Sequence, residues 1–176
     1  IQVLSPMHKG LLGTIHLNQT LQSALNFRKE RLIWDSVQFI AGDKVMQVKN
    51  NYENGVFNGD IGIITRIVGD EQVIVKFQDS EVAYTVANLD EIQPAYCISI
   101  HKSQGSEFKA VVMPVSSQHY IMLQRNLLYT ALTRAKAVCV MVGTSSALSI
   151  AVRNDTALRR YSQLSGRLTE NEIEGG

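Results

Sequence analysis

His101, Lys102, Ser103, Gln104, Gly105, Ser106 and Glu107 follow directly on an apolar, β-prone run that includes Tyr96, Cys97, Ile98 and Ile100. A buried strand that ends in a polar turn is where α/β sheets place ligand chemistry. The turn offers an imidazole, a cation, several hydroxyl and amide donors, a hinge glycine and one carboxylate. That set suits a phosphate-rich polymer better than a small apolar ligand. Taken alone, an ordinary strand-to-helix turn with a solvated tip explains it equally well. A second cluster lies in Asn126 to Lys136, where Arg134 and Lys136 close an amphipathic stretch just before a buried-strand pattern. Cations at a helix end commonly do no more than complement its dipole, at about 0.3–1 kcal/mol. The functional alternative is an arginine presented to a nucleotide held by a neighbour. The third candidate is His8-Lys9, placed between a strand end and a helix start, a common position for holding an anion.

The elements that must position these residues are legible as a pattern. Ile1 to Leu4 is a short apolar run closed by Ser5-Pro6, followed by a loop over Met7 to Gly13. From Thr14, Leu17, Leu21, Ala24, Leu25 and Arg28 fall at helical spacing and predict an apolar helix face. The texture changes near Ala41. From Gly42 to Ile92 short β-prone runs alternate with turn dipeptides: Lys44 to Lys49, Ile61 to Val68, then Val73, Val75 and Phe77, then Val82, Tyr84 and Val86. This pattern predicts a small antiparallel barrel of the SH3 type. After Pro94 an α/β rhythm returns, with strands at Tyr96–Ile100, Ala110–Val115 and Val138–Val142. Helices are predicted near Gln124–Thr133, Ser146–Val152 and Thr156–Leu164. The Val138–Val142 run is almost wholly apolar and predicts a parallel strand buried on both faces. Residues 169–176 read as an acidic, frayed tail.

At 176 residues the chain has room for one ordinary domain, or one with a small insert. Its 45% hydrophobic content is that of a globular protein, and the formal net charge of +1 leaves any nucleic-acid binding to local clusters. Besides those named, Arg28 with Lys29 and Arg31, and the pair Arg159-Arg160, are basic. No apolar run approaches the roughly 20 residues of a membrane span, and the N-terminus does not resemble a secretory signal. Cys97 and Cys139 read as reduced thiols of a cytoplasmic protein, and no Cys/His spacing forms a metal site. A chain that starts at Ile1 is expected to be a piece of something larger. There is no G-x-x-x-x-G-K-[ST] loop and no G-x-S-x-G elbow, so the chain does not look like a complete enzyme.

Four stretches carry a family resemblance. IHKSQGSEF followed by LLYTALTRAK resembles motifs V and VI of superfamily 1 DNA helicases of the RecD/TraA type. QVLSPMHKGLLGTIHLNQTLQ is similar to the motif IV region, and GDKVMQVKNNYENGVFNGDIG to the start of the inserted SH3-like domain. The order is that of the family, and the resemblance runs from Gln2 to about Arg167. It implies a RecA-like α/β domain, of P-loop NTPase type but lacking the P-loop, interrupted by a small SH3-like barrel. The implied division is a second motor domain, 2A, at 1–41 and 93–168, with insert 2B at 42–92. The Walker motifs would then belong to an N-terminal RecA-like domain that binds most of the ATP and Mg2+.

The resemblance also implies roles. Arg134 would be the motif VI arginine that reaches the γ-phosphate, Glu107 the ribose-binding carboxylate, and Gly105 a tight turn on the nucleotide side. Lys9 would be a second phosphate contact. Ser99, His101, Lys102 and Ser103 would lie on single-stranded DNA. Asn58 fits the insert's pattern, although a type I′ turn explains Asn58-Gly59 as well. The implied activity is 5′–3′ translocation and unwinding in recombination or repair, alone or with nuclease subunits of the exodeoxyribonuclease V kind. The helicase half of a conjugative relaxase shares these motifs, and a non-catalytic SH3-like binding module stays open as the reading from another class.

Overall fold

The computed structural model describes residues 1–116 and 124–154. The predicted helix 156–164, the Arg159-Arg160 pair and the tail 169–176 lie outside the described residues. In chain order, β1 (Gln2–Ser5) leads to α1 (Thr14–Leu25), a hairpin of β2 (Arg31–Trp34) and β3 (Val37–Ile40), and β4 (Lys44–Gln47). Then come β5 (Ile61–Val68), β6 (Gln72–Lys76), β7 (Glu81–Thr85) and β8 (Ile92–Pro94). The remainder is β9 (Cys97–Ser99), β10 (Phe108–Val115), α2 (Arg125–Leu132), β11 (Ala135–Gly143) and α3 (Ser145–Arg153).

Four strands pair in parallel in the order β11-β10-β1-β9. One face of this sheet packs Leu4, Ile98, Val111, Met113 and Val115 against Leu128, Ala131, Ala147 and Ala151 of α2 and α3. A Thr144 hydroxyl accepts from the Ala147 amide at 3.2 Å and caps α3, satisfying one of its orphan donors. The sequence expectation for β11 does not hold. It is the terminal strand of the sheet, and Val138, Val140 and Val142 on one face are 51%, 45% and 58% exposed. Cys139 and Met141, on the other face, pack against the core. A continuous apolar run cannot reveal strand order, and strand order decides which strand is at the edge.

Helix α1 docks by its polar side, contrary to the periodicity of its leucines. Its buried residues are Thr14 and Gln22, whereas Leu25 is 64% exposed, and the helix stops before Arg28. The reason is unsatisfied backbone. Edge strand β9 leaves the Cys97 N–H and C=O free, and Asn18 meets both, accepting at 2.9 Å and donating at 2.8 Å. One turn on, Gln22 and one more turn on, Asn26, donate to the fully buried Asp43 carboxylate at 2.5 and 2.7 Å. The Ile40 amide (2.7 Å) and the Tyr96 hydroxyl (2.9 Å) complete its shell. A buried carboxylate requires such a set of donors, so this cluster ties α1, the hairpin and the approach to β9 together.

The second sheet is antiparallel, in the order β7-β6-β5-β4-β8. Its core contains Val45, Ile64, Val73, Val75, Val82 and Tyr84, together with Leu32 and Phe39 of the hairpin. Strand β4 serves both cores: Val45 faces this one and Met46 the first, the alternation expected of a strand. The turn at 57–60 is not type I′. Gly59 has φ +101° while Asn58 keeps negative φ, and the Asp60 amide donates to the Phe57 carbonyl at 3.0 Å, which is type II geometry.

Candidate functional site

The polar run 100–107 is the whole connection from β9 to β10, and it skips over β1. Because Ser99 lies level with Ser5, and Val111 level with Gln2, the run must descend roughly 20 Å along the strand direction, at ~3.3 Å per residue. It therefore starts at the C-terminal edge of the sheet and ends at the N-terminal edge. Ile100 anchors it in the core beside Leu128 and Ala131. A single 3-10 turn, His101–Ser103, follows. Gly105 has φ +84°, a conformation that strains any side chain, and sends the chain onward. Ser103 is fully buried and its hydroxyl donates to the Ile100 carbonyl at 2.6 Å. That hydroxyl builds the turn and faces no ligand surface.

At the C-terminal edge, Ser99 accepts from the Lys102 amide at 3.2 Å, which aims the lysine back over the strand end. Partial burial lowers the Lys102 pKa, and its Nζ donates to Gln93 Oε1 at 3.2 Å rather than to a carboxylate. Ser99, Lys102 and His8 border one cleft between α1, the hairpin and β8, with a volume of about 630 Å³. His101 does not share it. With Gln104 it lines a separate cleft of about 320 Å³ against Asn126 and Thr130 of α2. Lys9 is exposed on the neighbouring loop. That loop is tightly wrapped, since a Cβ on Gly13 would come within 2.5 Å of the His8 and Lys9 carbonyls. The Thr14 and Ile15 amides, which an anion at this helix start would use, already donate to Met7 and His8. Asn58 borders neither cleft; its amide donates to Asn50 Oδ1 at 2.9 Å.

At the opposite edge, where Phe108 pairs with Ala135, motifs V and VI meet. The Phe108 amide donates to the Arg134 carbonyl at 2.8 Å. The half-buried Arg134 guanidinium donates to Ser106 O (3.1 Å), Thr130 O (3.3 Å) and Thr133 Oγ1 (3.3 Å). Glu107 is exposed and pairs with Lys136 at 3.1 Å. Such an exposed pair contributes roughly 0–1 kcal/mol and yields readily to another partner. Arg134, Gly105 and Glu107 are thus brought together, while Lys9 lies at the far edge of the sheet. The Ser106 carbonyl and the Lys136 partnership escaped sequence reasoning, because a backbone acceptor carries no residue-type signal. Among the described residues, no group of His, Cys, Asp or Glu could hold a metal ion.

Residues 94–142 match the UvrD-like helicase C-terminal domain, and residues 17–77 the SH3 domain of ATP-dependent RecD-like DNA helicases. The chain thus carries a UvrD-like helicase C-terminal domain and a RecD-like helicase SH3 domain. The ATP-dependent RecD2 DNA helicase of Deinococcus radiodurans is 38% identical over 164 residues, covering 93% of this chain and 23% of that protein. The RecBCD enzyme subunit RecD of Haemophilus influenzae is 30% identical over 97% of this chain and 25% of its own length. The RecD-like chain therefore spans about a quarter of these relatives. Its fold matches that of a Bacteroides Pif1 helicase crystallised with ADP-AlF3 and single-stranded DNA, with a TM-score of 0.60 at 16% identity, covering 99% of this chain and 46% of that one.

Proposed function

We propose that this chain is the second motor half of an ATP-driven, RecD-type DNA helicase that moves 5′ to 3′ along a single strand in recombination or repair. A first RecA-like domain would hold most of the ATP and Mg2+, and nuclease subunits are a further partner class. The observation that carries this reading is the clasp of Arg134 on the Ser106 carbonyl. It joins the motif VI arginine to the crossover whose other end presents Ser99 and Lys102.

Bound ATP with Mg2+ supplies the phosphoanhydride whose cleavage drives the cycle. Arg134 suits the γ-phosphate because guanidinium stays charged and binds phosphate bidentately. Turning toward that anion releases Ser106, which loosens the crossover at its nucleotide end. Glu107, freed from Lys136, accepts from ribose hydroxyls, and Gly105 lets the backbone between them rotate. At the other edge His101, Lys102 and Ser99 meet the strand, and Lys9 joins them there rather than the nucleotide. Asn58 is an outlying contact on the insert. We place that insert at 31–94 rather than 42–92, since Leu32 and Phe39 pack in its core and β8 pairs with β4.

A half-motor has no complete site. The 176-residue chain alone is expected to hydrolyse no ATP above the buffer blank, with or without oligo-dT. DNA-stimulated turnover by this chain in a steady-state assay refutes the half-motor reading.

A further inference from the structure

The cleft of about 630 Å³ at the C-terminal edge has a composition that motif V alone does not explain. Its volume falls in the range of ligand clefts, roughly 300–1,000 Å³. Among the described residues no aspartate or glutamate lines it, and Lys102 and His8 are its only basic residues. The rest of its wall is amide, hydroxyl and aliphatic, and two elements outside motif V contribute most of it. Helix α1 presents Gln19, one turn from Ile15 and Gln22, and the β2–β3 hairpin presents Ser36 and Gln38.

Two features mark this wall as built for a ligand. The side-chain amides of Gln19 and Gln38 make no hydrogen bond within the described residues. The backbone behind them is nonetheless fixed. Gln22 Nε2 donates to the Gln38 carbonyl at 2.8 Å and to the buried Asp43 at 2.5 Å, so helix and hairpin are locked at one separation. The hairpin turn itself is held with Asp35 and Ser36 at φ 40° and 66°, a type I′ pair without glycine. With the backbone fixed, only the two side chains remain to be ordered on binding.

We propose that this cleft holds nucleobases of the single strand, with Gln19 of α1 and Gln38 of the hairpin bonding their edges while Lys102 at the rim takes a phosphate. The proposal rests on the single-strand reading above and extends the track from motif V across α1 to the hairpin. A wall in which amides, hydroxyls and aliphatic groups far outnumber the basic residues Lys102 and His8 fits base faces and edges, because a phosphate-tracking groove requires a series of cations.

The test is binding of a fluorescein-labelled oligo-dT by the full-length protein, followed by anisotropy across a salt series. The Gln19→Ala/Gln38→Ala double variant is expected to bind about tenfold more weakly at every salt concentration, with the slope of log K against log salt unchanged. Lys102→Ala is expected to reduce that slope by about one. Neither glutamine side chain has a partner to lose among the described residues, so thermal melting of the double variant stays at the parent's value. If the double variant binds like the parent while Lys102→Ala weakens binding, the single-strand reading stands and this inference falls. A reduced salt slope in the double variant also overturns it, by making the wall a phosphate contact. If the parent binds no oligo-dT, the inference and the reading beneath it fall together.

Discussion

Cys97 has no free backbone edge and almost no exposed surface, since Asn18 bonds its N–H and C=O and only 1% of the residue is accessible. Burial pushes its thiol up to about 12, so at pH 8 it is almost wholly protonated. Ellman's reagent at pH 8 should therefore leave Cys97 unmodified in the native protein and modify it on denaturation. Modification at equal rates in both states would mean that α1 does not cover this edge. Lys102 shifts the other way, as expected for a cation losing water without gaining a carboxylate. At this scale the sequence announced some residues and hid others. His101, Lys102 and Arg134 interrupt apolar runs and are visible by type. The Ser106 carbonyl and the Gln19 and Gln38 amides matter through placement alone. Ser103 showed the opposite hazard, because a hydroxyl in a polar run turned inward to close a 3-10 turn.

Among the elements, the parallel strands were legible because four short apolar runs each ended in a turn signal, and the β5–β6–β7 meander because its valines alternate. The β2–β3 hairpin was not. Its turn is Asp35-Ser36, without the asparagine or glycine that usually marks left-handed turn residues, and its strands carry charge at Arg31. Yet Phe39 is 1% exposed in the second core. Phe39→Ala is expected to lower stability by about 3–5 kcal/mol in chemical denaturation. Val140→Ala, on the open face of β11, should cost less than about 1 kcal/mol, since little apolar area is removed from water there. Equal losses would contradict the edge position of β11. Helix α1 carries the same lesson in reverse: its leucine spacing is a true helix signal, but hydrogen-bonding demand from β9 and Asp43 chose which side it buries.

Over the whole molecule, two cores share strand β4 and are clipped together by the Asp43 cluster, so the insert has a fixed seat on the parallel sheet. The crossover 100–107 runs between the sheet's two edges, with Ser99 and Lys102, the proposed single-strand contacts, at one and Arg134 with Glu107 at the other. Such an arrangement separates two ligands in space while joining them through one short segment, and it predicts that the two functions can be damaged independently. The measurement that bears most directly on this is a paired one on the full-length protein carrying Arg134→Ala: steady-state ATP turnover with saturating oligo-dT, and oligo-dT affinity by anisotropy. Turnover should fall by about 10³-fold or more, the usual contribution of such an arginine, with affinity within about threefold of the parent. Turnover that survives while oligo-dT binding collapses would place Arg134 on the nucleic acid and contradict the division of the two edges.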